Sequence, residues 1–380
     1  MKIAHISDMH LGKIIYNYSM LEEQKNILDK ISDILEKENI KTLLIAGDVY
    51  DKSVPSAEAV KIFDAFLVGL SKAGVEVFII SGNHDSNERI SFGADLMALS
   101  GVHIAKALTK STKDIKPCVI SDQFGQINIY MIPFIKPIHV KTAFETEDVL
   151  SYTQALKMLI DNIQVDTFAR NIIVAHQFVT GGQKCESEQI SVGGTDNVDS
   201  SVFDVFDYVA LGHLHGPQYV GRETLRYCGS PLKYSFSEIN HKKSLTIINL
   251  KNKGDIQLEF IPLVPLRDWQ EIRGTYNELM AKDFYAKLNL QNYYRVILTD
   301  EDDVPNALER LRTVYPNILE LKYDNKRTAS NAQIGTAPQT ENKTPEEIFS
   351  EFYKKQNNQE LNAKQAKYMR ELIEKIWEGE

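Results

Sequence analysis

Five short apolar runs in this chain stop on residues that bind metal ions. Lys2-Ile3-Ala4-His5-Ile6 leads to Asp8 and His10, and Leu43-Leu44-Ile45-Ala46 leads to Gly47-Asp48. Val75 to Ile80 leads to Gly82-Asn83-His84-Asp85, Asn171 to Ala175 to His176, and Tyr208 to Leu211 to Gly212-His213-Leu214-His215. Each run has the length and apolar content of a buried strand. In open α/β sheets, sites form beyond the carboxyl ends of the strands. Five such ends meeting would gather carboxylates, an amide and imidazoles in one place.

The intervening sequence fits that arrangement. Leu11 to Asn17 reads as a loop. Ser19 to Lys37 has helical spacing, with Leu21, Ile27, Leu28, Ile31, Ile34 and Leu35 on one broad face. Pro55-Ser56-Ala57-Glu58 opens a second helix that Gly74 ends. The order β-α-β-α-β predicts parallel pairing with right-handed crossovers. Further strands are expected at Val102–Ile104, Cys118–Ile120 and Ile127–Ile132, and a helix from Asp148 to Asp161. Gly181-Gly182 to Gly193-Gly194 reads as a loop. Tyr219-Val220, Leu225 to Cys228, Leu245 to Leu250 and Ile256 to Ile261 read as antiparallel strands. The expectation is an α/β domain of mixed, sandwiched sheets.

Pro262 to Pro265 marks a boundary. The domains expected are 1–265, a small α+β unit at 266–324, a linker at 325–344 and a helical tail at 345–380. The linker is rich in Thr, Asn, Ala and Gln and holds too little apolar surface to offset ordering entropy. Thr344-Pro345-Glu346-Glu347 has the form of a capping box, and Asn362 to Gln365 offers a second cap. The stripes Ile348, Phe349, Phe352, Tyr353 and Ala366, Met369, Leu372, Ile373, Ile376, Trp377 make two amphipathic helices. They either fold back on the body or dock on another protein.

Composition excludes several classes. The formal net charge of −9 leaves no basic arm, so charge alone gives no reason to propose nucleic acid. Cys118, Cys185 and Cys228 lie too far apart for a zinc spacing or a disulfide framework, as in a reducing compartment. No basic, apolar leader is visible and no stretch is long enough to span a bilayer, so a cytoplasmic protein with no membrane contact is expected.

The motifs carry the chemistry. Asp8 and His10, like His213 and His215, are two apart, so each pair points one way from an extended strand end. Asp48 has two oxygens and can bridge two cations, Asn83 supplies an amide oxygen, and His176 supplies an imidazole. This mixture suits Mn²⁺ and similar ions better than a thiolate site would. Two such ions, roughly 3.5–4 Å apart, serve an in-line displacement at phosphorus. His84 beside Asn83 is assigned to transition-state stabilisation or leaving-group protonation. Asp85 is expected to orient a histidine, and Asp51 to stand behind the ligands or on the surface. His5, His103, His139 and His241 are left as structural or solvent-facing.

These motifs resemble the calcineurin-like metallophosphoesterase superfamily. Within it, Ile6-Ser7-Asp8-Met9-His10-Leu11-Gly12, Gly47-Asp48-Val49-Tyr50-Asp51 and Gly82-Asn83-His84-Asp85-Ser86 resemble the SbcD family, nuclease subunits that act in double-strand-break repair. So do His176-Gln177-Phe178, Ala210 to His215, Tyr227-Cys228-Gly229-Ser230-Pro231 and Phe236-Ser237-Glu238. Leu266-Arg267-Asp268 and Glu271-Ile272-Arg273-Gly274 are similar to that family's capping domain. The tail is similar to its ATPase-binding segment by position and helical character.

The resemblance implies an α/β calcineurin-like core of mixed sheets flanked by helices, a small α+β capping domain and a C-terminal helical tail. It implies one ion on Asp8, His10, Asp48 and His215, the other on Asp48, Asn83, His176 and His213, and His84 as the catalytic histidine. The ions implied are Mn²⁺, with Mg²⁺ as the alternative, and no organic cofactor. The family's archaeal and eukaryotic branch carries a second histidine near the place of Asp51, so its absence points to the bacterial branch. Also implied are 3′→5′ exonuclease action on duplex DNA ends and endonuclease action on hairpins and single strands. The partners implied are an SbcC-type coiled-coil ATPase that uses ATP and binds 345–380, and a second copy, as a homodimer within a heterotetramer at the nucleoid. Two other readings keep the same motifs: a phosphoesterase for a small molecule or phosphoprotein, and a scaffold without turnover.

Overall fold

The computed structural model describes residues 1–188, 196–325, 345–357 and 360–377. The strands follow in chain order: β1 Lys2–Ile6, β2 Ile14–Ile15, β3 Tyr18–Ser19, β4 Thr42–Ala46, β5 Glu76–Ile80 and β6 Val102–Ile104. Next come β7 Cys118–Asp122, β8 Gly125–Met131, β9 Arg170–His176, β10 Phe178–Val179, β11 Asn197–Val198 and β12 Tyr208–Gly212. The last are β13 Gln218–Val220, β14 Arg222–Tyr227, β15 Ser244–Leu250, β16 Ile256–Pro262, β17 Trp269–Gly274, β18 Tyr293–Leu298 and β19 Ile318–Tyr323. Two six-stranded sheets carry the fold, in the orders β16-β15-β1-β4-β5-β6 and β13-β14-β12-β9-β8-β7.

The unbroken apolar runs have a packing reason. Alternate residues of a strand point to opposite faces, and here both faces are covered. Leu44 and Ala46 of β4 face inward with Ile172 and Val174 of β9 and Tyr208 and Ala210 of β12, filling the space between the sheets. Leu43 and Ile45 face outward to the Leu21–Lys37 and Ala57–Lys72 helices, through Ile27, Leu28, Ile31, Phe63 and Leu67. Ile173, Ala175, Val209 and Leu211 pack on the other side with Leu156 and Leu159 of the Tyr152–Ile163 helix. The result is helix, sheet, sheet, helix.

Strands β1, β4, β5 and β6 run parallel, as do β8, β9, β12 and β14. Their carboxyl ends therefore share one end of the sandwich. The other end is closed by charge. The Met1 ammonium donates to Asp122 Oδ2 at 2.9 Å and to the Leu250 carbonyl at 2.7 Å. Buried Arg170 donates to Asp122 Oδ1 at 2.6 Å and to the Lys251 carbonyl at 2.7 Å. These bonds join the first sheet to the second.

Three expectations change. The 11–17 loop contains β2 and the turn of the β2–β3 hairpin, whose turn residues Tyr16 and Asn17 both have positive φ, as a type I′ turn requires. The strand at Leu225 pairs antiparallel only with β13; with β12 it is parallel, because β13 is laid down beyond it and the chain turns back between them. A helix at Pro137–Phe144 joins the second outer layer, its weak amphipathic stripe leaving little trace in the sequence.

Strands β17-β18-β19 form a third sheet. Trp269 packs on Phe236 at 4.7 Å between ring centres, and Arg267 donates to Glu23 Oε1 at 2.6 Å. Contacts divide the chain into Met1–Ile297 with Pro305–Lys322, and Leu298–Val304 with Tyr323–Glu380. In the second unit, helices Pro345–Asn357 and Ala363–Trp377 are bridged by Glu346–Arg370 at 2.8 Å and by Gln365 donating to the Tyr353 hydroxyl at 3.1 Å. The Asn362 cap forms as a reciprocal pair: Asn362 N–H donates to Gln365 Oε1, and Gln365 N–H to Asn362 Oδ1, each at 3.0 Å. Residues 326–344 of the expected linker, the Thr344 cap and Gly193-Gly194 lie outside the described residues. Among the described residues, no helix is long and apolar enough to cross a membrane.

The Arg170 hydrogen bonds, joined by those of the N-terminal ammonium, hold the Asp122 carboxyl well below the usual carboxylate range. A depressed folded-state value stabilises above the unfolded value and is lost as pH falls through the folded one. Asp122→Asn therefore lowers the melting temperature at pH 7, and the gap to wild type narrows below about pH 4. Thermal melts from pH 7 to pH 3 check this; a gap that widens on acidification contradicts it.

Candidate metal centre

The carboxyl ends of β1, β4, β9 and β12 and the loop after β5 deliver the seven predicted donors to one pocket. Asp8, His10, Asp48, His176, His213 and His215 are all buried, and Asn83 is half-buried. The loops that carry them are zipped by backbone bonds. Asp8 N–H donates to the Gly47 carbonyl at 3.0 Å, His10 N–H to Asp48 at 3.0 Å and Leu11 N–H to Val49 at 2.9 Å. His213 N–H donates to Asp8 Oδ1 at 3.0 Å.

This zipper holds strained backbone. Asp8, His10, Asp48 and His213 have φ of 53°, 44°, 48° and 107°. Left-handed conformations disfavour residues with a Cβ by about 1–2 kcal/mol each, and such strain persists only where the surroundings over-determine it. Two glycines make the approach possible. A Cβ on Gly212 would lie 1.9 Å from the Ala46 carbonyl oxygen, and one on Gly82 would lie 2.0 Å from Asp48 Oδ1.

Hydrogen-bond accounting fixes which atoms face the pocket. His176 Nδ1 sits 2.8 Å from the Ala46 carbonyl, which can only accept, so Nδ1 carries the hydrogen. Its Nε2 then aims at Asn83 Oδ1 at 3.0 Å and Asp48 Oδ2 at 3.4 Å. Ser187 Oγ donates to Glu238 Oε1 at 2.5 Å, so it accepts from His215 Nδ1 at 2.7 Å and leaves His215 Nε2 as the lone-pair nitrogen. That atom faces His10 Nε2 at 3.0 Å, and His10 Nε2 lies 3.7 Å from Asp48 Oδ2. His213 Nδ1 points at Asn83 Oδ1 at 3.0 Å, and its Nε2 is buried without a partner.

Lone pairs thus converge with few hydrogens between them, which is what a cation answers. Asp8, His10 and His215 place one donor atom each within 4.8 Å of one another, and so do Asp8, Asp48 and His176. Oxygen and imidazole donors without thiolate suit borderline divalent ions. Protons compete with a cation for these lone pairs. Burial pushes the Asp8 carboxyl up to about 6 against the pull of His176 and His215. Burial disfavours charge on His176, yet Asp48 beside it wins and raises it to about 9. Burial likewise opposes the Asp48 carboxylate, and His176 holds it well below its usual range. Burial, with the His176 charge, pushes His213 down to about 3.

His84 lies at the edge, its ring 4.7 Å from that of His10. Its N–H donates to Asp48 Oδ1 at 2.9 Å, and its Nδ1 sits 2.9 Å from the Asp51 carbonyl. Asp85 does not orient a histidine. Its carboxylate accepts from the backbone N–H groups of Gly82 at 2.9 Å, Val49 at 3.1 Å and Tyr50 at 2.9 Å, strapping the Asn83 loop to the Asp48 loop. Burial and the Asp48 charge push it up to about 6 despite those bonds. Asp51 pairs with Lys13 at 2.7 Å, behind His10.

Sequence reasoning missed the groups that hold the ligands from behind. Gln24 Nε2 donates to the His10 carbonyl at 2.7 Å. Glu188 Oε1 accepts from His215 N–H at 2.6 Å. Buried Lys243 pairs with Glu238 and donates to the His215 carbonyl at 2.8 Å. The Phe236-Ser237-Glu238 motif was the available signal for this layer.

Residues 1–217 match the calcineurin-like phosphoesterase family. The fold and site are thus those of a metal-binding hydrolase of phosphodiester bonds. Residues 262–357 match a type 5 capsule protein repressor C-terminal domain. The chain is 31% identical to the D subunit of the nuclease SbcCD of Staphylococcus epidermidis over 387 residues, covering 100% of both chains. It belongs to the SbcD family of nucleases. Likeness to solved structures is looser. A dimetal phosphatase from Danio rerio covers 70% of this chain and 96% of its own, at 11% identity and a TM-score of 0.41. The TT1561 protein of Thermus thermophilus covers 69% of this chain and 99% of its own, at 13% identity and a TM-score of 0.38.

Gly212→Ala drives a methyl into the Ala46 carbonyl and should reduce stability by about 1–3 kcal/mol or more and empty the centre of metal. Gly69→Ala, in a helix where a Cβ meets nothing within 4 Å, should leave stability equal or raise it by about 0.5–1 kcal/mol. Urea unfolding and metal content by mass spectrometry check the pair. Full metal retention by Gly212→Ala contradicts the close-approach argument.

Proposed function

We propose that this chain is a manganese-dependent DNA nuclease subunit that works with an SbcC-type ATPase. One ion is assigned to Asp8, His10, Asp48 and His215, and the other to Asp48, Asn83, His176 and His213. The observation that carries this reading is the placement of Asp48 Oδ2 between His10 and His176, at 3.7 and 3.4 Å. When bound, the ions supply Lewis-acid polarisation of the phosphodiester and acidify water.

The chain's own groups supply the rest. The Asp51 carbonyl holds the hydrogen of His84 on Nδ1, which leaves Nε2 to exchange a proton with the scissile phosphodiester. His84 is therefore assigned to protonating the leaving oxygen or stabilising charge on the phosphoryl group. The strap from Asp85 fixes the Asn83-His84 turn against the Asp48 loop, so ligand and acid keep one geometry.

The S. epidermidis relative's name supports the substrate and partner assignments. The reading is 3′→5′ exonuclease action on duplex ends and endonuclease action on hairpins and single strands, in DNA repair and recombination. Residues 1–265 are assigned to cleavage, 266–324 to capping the DNA and 345–380 to the ATPase, joined by a linker at 325–344. The tail supports that role through exposed Phe352 and Tyr368, at 58% and 65%. A net charge of −9 fits a protein whose partner supplies phosphate-binding surface. A homodimer in the cytoplasm, at the nucleoid, completes the proposal.

Hydrolysis of bis-p-nitrophenyl phosphate with Mn²⁺ tests the chemistry. His84→Ala should keep its metal and lose about 10²–10⁴-fold in rate, while Asp48→Ala should lose both metal and activity. Equal rates for wild type and His84→Ala would refute the role of His84. Removal of residues 325–380 should spare this substrate and abolish ATP-stimulated digestion of duplex DNA by the assembled nuclease and ATPase; unaffected duplex digestion contradicts the role of the tail, and failure of the assembled wild type to digest duplex DNA argues for a small-substrate phosphoesterase.

A further inference from the structure

On the Nδ1 side of His215 lies a second group of donors that the phosphoesterase centre does not use. Cys185, Glu238 and His241 each present a ligand atom within 4.8 Å of the others. The chemistry differs from that of the main centre: a sulfur, a carboxylate oxygen and an imidazole nitrogen. His241 Nδ1 is buried and has no hydrogen-bond partner. Its ring occupies space that Gly216 leaves open, 3.1 Å from where a Cβ would stand. Cys185 is a free thiol whose Sγ donates to Glu188 Oε1 at 3.2 Å. A cavity of about 390 Å³, lined by Gly216, Pro217 and the exposed Lys184 and Lys242, reaches Cys185 and His241.

As a thiol, Cys185 is inert. Burial raises its pKa, and the charges of Glu188 and Glu238 raise it further. A dication reverses that balance, because those same negative charges then stabilise the complex. We propose that Cys185, Glu238 and His241 form a separate zinc site. Sulfur, imidazole and carboxylate are the ligands tetrahedral zinc takes, with the fourth position open to water or to Glu188. Binding releases the Cys185 proton to solvent, and the thiolate, Glu188 and Glu238 together then offset the ion and the Lys243 ammonium. Lys243 continues to balance Glu238 from the other side.

The position gives the ion a consequence. Ser187 and Glu188 hold His215 from one segment, and Glu238 holds Ser187 from another. An ion on Cys185, Glu238 and His241 ties those two segments together. It therefore stiffens the support of a residue assigned to the phosphoesterase centre without entering that centre.

Cobalt(II) tests this directly, because a Co–thiolate bond absorbs in the near ultraviolet and the main centre contains no cysteine. Full-length wild type titrated with Co²⁺ should develop that absorption, saturating at one equivalent of thiolate-bound ion. Cys185→Ser and His241→Ala should lose or weaken it while keeping their circular dichroism and, in buffer without zinc, a Mn²⁺-dependent hydrolysis of bis-p-nitrophenyl phosphate equal to that of wild type under the same condition. Mass spectrometry after zinc dialysis should find one ion more on wild type than on Cys185→Ser. Absence of the band in wild type, its persistence in Cys185→Ser, or equal zinc on both proteins would overturn the proposal.

Discussion

Asp48 is the point to which the rest of the molecule is fitted. Its carbonyl receives the N–H of His10, its Oδ1 the N–H of His84, and its Oδ2 stands between the imidazoles of His10 and His176. It does this from a left-handed backbone at the end of a strand buried on both faces. A carboxylate so placed is poorly tolerated without a countercharge. The fold places the imidazoles of His10, His84 and His176 around it, and no lysine or arginine ion pair of Asp48 occurs among the described residues. That choice leaves the countercharge to protons or to ions.

The two ends of the sandwich divide stability from chemistry. At the amino ends of the parallel strands, Asp122, Arg170 and the N-terminus satisfy one another and join the sheets. At the carboxyl ends, strained backbone and facing lone pairs persist, held by the loop zipper and the Asp85 strap. Functional sites commonly keep strain of this kind, offset by consistent packing elsewhere.

Much of this was legible because buried strands and ligand motifs are local signals. Leu43 to Ala46 is apolar throughout since its two faces meet different cores, and the donor follows the last strand residue within two positions. What stayed hidden was non-local or carried by the backbone. Asp85 looked like the partner of a histidine, but it binds three amide groups, which no residue-type pattern can show. Ser187, Glu188 and Lys243 reach His215 from segments 28, 27 and 28 residues away. The parallel direction of the strand at Leu225 depends on where β13 is laid down, which its own sequence does not encode.

One carboxylate shared by two ions is the central claim. Anomalous diffraction from crystals of the full chain grown with manganese measures this most directly. Two peaks about 3.5–4 Å apart, with Asp48 between them, are the result that sharing predicts. A single peak, or a pair that leaves Asp48 outside both coordination shells, would contradict it.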